Sequence, residues 1–326
     1  MNKKNIFMAA AAALTSAGTI SCNKENTVEI PEERVEIHFG IDDIVTKATN
    51  ISAADEIEVN NLQVFVFRAD GALDAYGSAE AESLTLSCTT GDRKIYAAVN
   101  APTLSTVSDS TVLLSKTTDL SDNSTDSFVM FGRKDENISG AQNIVVPVTR
   151  KVAKVSVNSI TTDFTSAIYQ GQTFTVKDIY LINVAGDAKY SLEGAPTKWY
   201  NQRRKSTELA ALTVDSGINY TIANKESYNT NHSFYCYPNP TTSDTSAEIW
   251  SPRYTRLVIE TTLGGITYYY PISIPGIQAN HTYTVTSLKI TRPGSTDPDV
   301  PVSSAECTFS VTVNDWITGT STTETI

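Results

Sequence analysis

The sequence predicts an all-β protein built from antiparallel β-sandwiches. Hydrophobic residues alternate with period two along most of the chain, and helical periodicity is almost absent. Strand-like runs are separated by turn-forming loops rather than by helices, which argues against a parallel α/β sheet. At 326 residues, 40% of them hydrophobic and 9% aromatic, the chain is long enough for two domains of ordinary size.

The first segment stands outside the fold. MNKKNIFMAAAAALTSAGTISC has a basic start at Lys3 and Lys4, an apolar run too short to span a bilayer comfortably, and small residues before Cys22. That pattern is a secretory signal, residues 1–21. A cysteine at the cleavage point resembles a bacterial lipobox, in which the thiol is acylated and becomes the first residue, although Thr19 stands where Leu is usual. Acyl chains worth about 0.8 kcal/mol per buried CH₂ would hold such a protein on a membrane. The alternative is ordinary cleavage with Cys22 incidental. Losing Lys3 and Lys4 takes the formal charge from −11 to −13.

The strands then follow in order: Val35–Ile41, Leu62–Phe67, Leu84–Cys88, Lys94–Val99, Ile144–Val148, Val152–Val157 and Phe174–Ile182, then Ser233–Tyr237, Arg256–Thr261, Thr267–Ile274, Tyr283–Ile290 and Thr308–Val313. Most are rich in Val, Ile, Tyr, Phe and Thr, which suit a half-buried pleated surface. TRLVIETTLGGITYYYPISI reads as a hairpin, with Gly264-Gly265 supplying the positive φ angles of a tight turn. Residues 104–120 read as a short helix or a Ser/Thr-rich loop. A domain boundary is expected near Pro147–Lys151, giving 48–149 and 150–291 as the two sandwiches.

Composition and motifs exclude most chemistry. The chain is acidic, with Arg203-Arg204-Lys205 its densest basic run, so nucleic acid is not an expected partner. His38, His232 and His281 lie in separate segments, none with a second histidine or carboxylate at metal-ligand spacing, so no metal is expected. No nucleophile elbow, zinc-protease motif, phosphate loop or dinucleotide fingerprint occurs, and no cofactor is expected. Adjacent carboxylates such as Asp42-Asp43 and Glu32-Glu33 point to opposite faces of a strand and read as solvated charge. Trp199-Tyr200 and Tyr268-Tyr269-Tyr270 are aromatic enough to stack on sugars, but half-buried sandwich residues are the commoner case. After Cys22, three cysteines remain, Cys88, Cys236 and Cys307. At most one disulfide can form among them, and their apolar surroundings favour buried thiols.

The two ends of the exported chain carry the strongest signal. In RVEIHFGI, Val35, Ile37, Phe39 and Ile41 share one face, opposite Glu36 and His38. After the Pro-, Ser- and Asp-rich run RPGSTDPDVPVSS, the strand CTFSVTV places Cys307, Phe309, Val311 and Val313 on one face in the same way. The run reads as a spacer, with only two valines to pack. Between the first strand and the body, the polar stretch IVTKATN offers Lys47-Ala48 as a protease site. Cleavage there would release residues 22–47 with the first strand and open an apolar groove with unpaired edges, a template for strand addition by another copy. Repeated head to tail, that contact does not close and builds a filament.

Taken in order, Cys22, the TKA stretch at Lys47, VFVFRADG (64–71), YAAVN (96–100), FVMFGR (128–133), VTRKVAKVSV (148–157), FYCYPNP (234–240), TRLVIETT with YYYPI, HTYTVTSLKITRPGSTDPD and FSVTVNDW resemble the fimbrillin family. These are the subunits of type V pili in Gram-negative gut and oral anaerobes. The resemblance implies two transthyretin-like β-sandwich domains with a C-terminal donor-strand appendage (292–326). It further implies an outer-membrane lipoprotein precursor and a trypsin-like processing protease. Assembly with other pilin subunits, including tip and anchor subunits, would follow by donor-strand exchange into a cell-surface fimbrium. Lys47 and Ala48 match the family's cleavage point by position, although Arg is commoner there; Arg34 is the alternative site and would spare the strand. A free C-terminal strand matches a stalk subunit. The competing expectation is a non-polymerising surface lipoprotein, an adhesin or glycan-binding module whose last strand completes its own sandwich. A secreted hydrolase would need an acid pair or nucleophile that the sequence does not display.

Overall fold

The computed structural model describes residues 33–41, 54–245, 247, 249–316 and 321–324. Cys22, Lys47 and Ala48 lie outside these residues. The described residues group as one compact unit, dominated by β-strands.

The first nine strands are β1 (Arg34–Ile41), β2 (Leu62–Arg68), β3 (Leu73–Ala79), β4 (Ser83–Thr89), β5 (Gly91–Val99), β6 (Thr117–Asp119), β7 (Met130–Ile138), β8 (Gln142–Val146) and β9 (Thr149–Arg150). All but β6 form a small sheet in the order β4-β1-β8 facing a larger one in the order β3-β2-β5-β7-β9. In LQVFVFR of β2 the period of two sorts side chains between two cores. Leu62, Val64 and Val66 pack with Ile37 and Phe39 of β1, whereas Phe65 and Phe67 pack on the opposite face with Tyr96 and Leu113. Leu113 belongs to α1 (Ser110–Ser115), the short helix within 104–120, whose first turn is capped by Asp109 accepting from the Thr111 and Val112 N–H groups at 2.9 Å.

The remaining strands are β10 (Ala153–Val157), β11 (Ile160–Thr162), β12 (Phe174–Ile182), β13 (Val184–Ala185), β14 (Asp187–Lys189), β15 (Trp199–Tyr200), β16 (Val214–Asp215), β17 (Tyr220–Ile222), β18 (Ser227–Tyr228), β19 (His232–Cys236), β20 (Thr255–Leu263), β21 (Ile266–Ile274), β22 (His281–Ile290), β23 (Cys307–Asp315) and β24 (Ser321–Glu324). One sheet runs β18-β11-β22-β10-β19 and continues from β22 through β23 to β24; another runs β16-β12-β20-β21, with β17 also on β12. Their inner faces enclose a core that includes Phe174, Ile179, Phe234, Leu257, Tyr270 and Val285. The β20–β21 hairpin turns at Gly264 and Gly265, with φ of +59° and +85°, the glycine geometry that the sequence predicts.

Antiparallel pairing predominates, but not everywhere: β1 runs parallel to β8, and β22 runs parallel to β10 and β11. Alternation reports which face is buried and is silent about strand direction. Strands β3 and β7 are also absent from the sequence reading. The run MFGRKDENI of β7 has four consecutive charged residues at its centre, with Arg133, Asp135 and Asn137 exposed, so it lacks the apolar half of an alternating pattern. The strands before and after residue 151 are stitched together by the β6–β14 pair, and the Tyr237 hydroxyl meets Thr118 at 2.9 Å and Asn123 at 3.0 Å.

Candidate functional site

The first strand is inserted rather than appended. It pairs antiparallel with β4 on one side, Val35 opposite Cys88, Ile37 opposite Leu86 and Phe39 opposite Leu84; on the other it pairs parallel with β8, where Phe39 aligns with Ile144 and Ile41 with Val146. Ile37 and Phe39 are fully buried, and Val35 and Ile41 pack partly buried against the same core. The four side chains that the sequence places on one face are therefore together on the core side. Burying a Phe and an Ile contributes on the order of 2 kcal/mol each.

The walls of this slot have supports of their own. At Gly132 of β7 a side chain would meet the Pro147 carbonyl at 1.7 Å, so the glycine is what lets the chain following β8 lie against β7. On the other wall, Leu86 of β4 packs over Gly77 of β3, where a Cβ would lie 2.3 Å from its methyl carbon. Polar links to β1 are few. The Arg34 guanidinium donates to the Ser87 carbonyl and lies 3.9 Å from Asp74, and the His38 ring is 3.3 Å from the Thr85 hydroxyl. Burial alone would raise the Asp74 carboxyl, but the Thr89 N–H and hydroxyl, with the charges of Arg93 and Arg34, outweigh it and hold Asp74 below the ordinary carboxylate range.

The C-terminal strand is seated differently from the sequence expectation. Strand β23 lies between β22 and β24, with Val285 opposite Val311, Leu288 opposite Phe309 and Ile290 opposite Cys307. Cys307 and Val311 are buried in the core of their own sheet, with Phe309 and Val313 packed against it. The run expected to be a free spacer is docked. Ser295 exchanges two backbone hydrogen bonds with Tyr269, at 2.8 and 2.9 Å, and the Arg292 carbonyl accepts from the Tyr270 hydroxyl at 2.7 Å. Asp299, 1% exposed, accepts from Arg253 at 2.6 Å, Arg256 at 3.2 Å and Asn183 at 2.8 Å. Sequence reading missed this clamp because a lone aspartate in a Pro/Ser/Asp stretch reads as solvated charge, and its partners lie more than forty residues away.

A second cluster also escaped the sequence. Arg150 and Lys151, read only as the start of a new strand, are both 2% exposed. Burial lowers Lys151 to about 7, and its ammonium donates to the Lys189 and Tyr190 carbonyls at 2.8 and 2.7 Å. Arg150 stacks over Trp316 at 4.6 Å, and its Nε donates to the Glu56 carbonyl at 2.9 Å. Two basic residues inside an apolar alternation were the available signal.

Cys88, Cys236 and Cys307 are free and buried. Burial pushes the Cys236 thiol up to about 12; Cys307 is likewise at about 12 through burial and the nearby Glu306 charge. Thiols this far above neutral pH are unreactive. Among the described residues, no group of three or more His, Cys, Asp or Glu side chains could hold a metal, and no helix is long and apolar enough to cross a membrane.

Comparison with known proteins gives this arrangement a context. No curated protein matches the chain in sequence. Among solved structures, it resembles a candidate cell adhesion protein from Parabacteroides distasonis (TM-score 0.64, 19% identity, 87% of this chain and 97% of that one). It is also similar to one from Bacteroides eggerthii (TM-score 0.62, 22% identity, 88% and 97%), and to a fimbrilin from Porphyromonas gingivalis (TM-score 0.61, 16% identity, 86% and 97%). These likenesses establish the fold. The sequence pattern of one family, described as the major fimbrial subunit protein (FimA), matches residues 35–292. That match runs from the inserted first strand to the foot of the C-terminal segment, and with it the chain belongs to the FimA family of major fimbrial subunits, structural proteins of a cell-surface fimbrium and not enzymes.

Proposed function

We propose that the chain is a polymerising pilus subunit assembled by protease-triggered strand exchange. The precursor is lipidated at Cys22 and held at the outer membrane; a trypsin-like protease cuts between Lys47 and Ala48; β1 then leaves its slot, and the C-terminal segment of another copy replaces it. The observation that carries this reading is the position of β1. Its loss leaves two unpaired edges, β4 and β8, either side of an apolar trough lined by Leu84, Leu86 and Ile144. Backbone groups on both edges and the trough between them favour one more strand with alternate apolar side chains, the pattern of Cys307, Phe309, Val311 and Val313.

The test is trypsin treatment of purified precursor followed by electrophoresis in SDS without boiling. A ladder of oligomers is expected, lost on deletion of residues 303–326 and on Lys47→Ala. No ladder, or one indifferent to both changes, overturns the reading. Truncation after Trp316 then separates the donor strands, since it removes β24 and leaves β23 in its sheet.

A second reading rests on β23 itself. Its burial in the core of its own subunit favours a surface lipoprotein that does not polymerise and serves as an adhesin or glycan-binding module. Precursor that stays monomeric after complete cleavage at Lys47 selects it.

A further inference from the structure

Glu56 lies in a single 3-10 turn, Ala54–Ile57, between β1 and β2, eight residues beyond the Lys47–Ala48 bond. It is 3% exposed and accepts from groups on separate parts of the chain: Lys154 Nζ at 2.7 Å and the Tyr235 hydroxyl at 2.6 Å on one carboxylate oxygen, and Trp316 Nε1 at 3.1 Å on the other. Trp316 follows directly on β23. Its ring stacks against Tyr235 (5.8 Å, 17° between planes), meets the edge of Phe128 at 5.9 Å, and has the Arg150 guanidinium over it. A buried carboxylate is tolerated only while its donors are in place, so any movement of Glu56 costs the Trp316 cage its acceptor.

We propose that Glu56 and Trp316 form a latch between the segment in which the precursor is cut and the C-terminal strand, so that β23 is held on its own subunit in the precursor and loosened by maturation. The trigger rests on the strand-exchange reading above; the contact itself does not. In the precursor the 3-10 turn is tethered from both directions along the chain. After the cut, Glu56 is the ninth residue from a new N-terminus, where order is most easily lost.

The experiment is hydrogen exchange of the Cys307–Asp315 amides in the full-length protein, before and after cleavage at a specific protease site placed between residues 47 and 48. At least a tenfold faster exchange is expected after cleavage. Glu56→Gln keeps the shape of the side chain but lowers its accepting power, and Trp316→Phe keeps a ring but removes the N–H. Both should bring the uncut protein most of the way to the cleaved rate. Equal protection of β23 before and after the cut overturns the latch, as does wild-type protection in both variants. A ladder of oligomers with unchanged β23 exchange means that strand exchange stands and the latch falls. Faster exchange without a ladder means the reverse.

Discussion

Strands β1 and β23 have the same pattern in sequence and are retained by different means. Each presents four alternating side chains to a core, and each lies between two neighbours. The polar side-chain links of β1 are three contacts with β4, two from Arg34 to Ser87 and one between His38 and Thr85, and a long ion pair from Arg34. Strand β23 adds side-chain anchors at its C-terminal end: Asp315 pairs with His281 at 3.0 Å, and Trp316 reaches Glu56. Backbone ladders and apolar knobs can be supplied by any strand of suitable pattern, whereas specific side-chain anchors cannot. The contrast teaches that a replaceable strand is one whose binding energy lies almost wholly in contacts another strand can reproduce.

The largest expected effect breaks the comparison from the β23 side. Asp299→Ala leaves Arg253 and Arg256 buried without their shared carboxylate, and should destabilise the protein by about 3–5 kcal/mol in urea unfolding. Phe39→Ala should cost a similar ~3–5 kcal/mol, because the side chain is fully buried and its neighbours belong to two sheets. The half-buried Phe309 should cost roughly half as much or less when cut to alanine; equal losses at the two positions would erase the contrast between the two strands. Charge sharpens the same point. Val311→Asp should unfold the subunit's own second core, so Phe309→Asp is the cleaner probe of assembly in a folded precursor.

Acid provides a smaller effect, on the join between the two halves. Burial would raise Asp119, but hydrogen bonds from Lys198, the Ser121 N–H, Tyr200 and the Ser121 hydroxyl lower it to about 2. Its folded value lies below its ordinary one, so its contribution is complete above about pH 4 and lost as pH falls towards 2. The unfolding midpoint should drop over that window in the wild type and be flatter in Asp119→Asn. The smallest effect expected is that of Arg34→Ala. Its side chain is half exposed and its ion pair long, so the change should be under about 1 kcal/mol.

Much of this was legible in the sequence. Period-two alternation located β1, β2, β5, β20, β21 and β22, because each buries one face or both, and Gly264-Gly265 gave the hairpin. The apolar face of β1 was legible for the same reason, residue by residue. What escaped was whatever depends on distant partners. Asp299 is unremarkable until Arg253, Arg256 and Asn183 surround it, and Glu56 is a surface-type residue until Trp316 arrives from 260 positions away. Parallel pairing of β1 with β8 escaped too, since a strand's composition carries no direction.

The Asp299 clamp has a mechanical consequence. In the filament proposed above, joined through its C-terminal segments, tension that has freed β23 and the Glu306–Thr291 bond is next met by this buried carboxylate. Arg256 lies on β20 and Arg253 just before it, and β20 is an inner strand, paired along its length with β12 on one side and β21 on the other. A pull on Asp299 is therefore delivered to the middle of a sheet. There, yielding requires many backbone hydrogen bonds to shear together, whereas an edge strand can be unzipped one bond at a time.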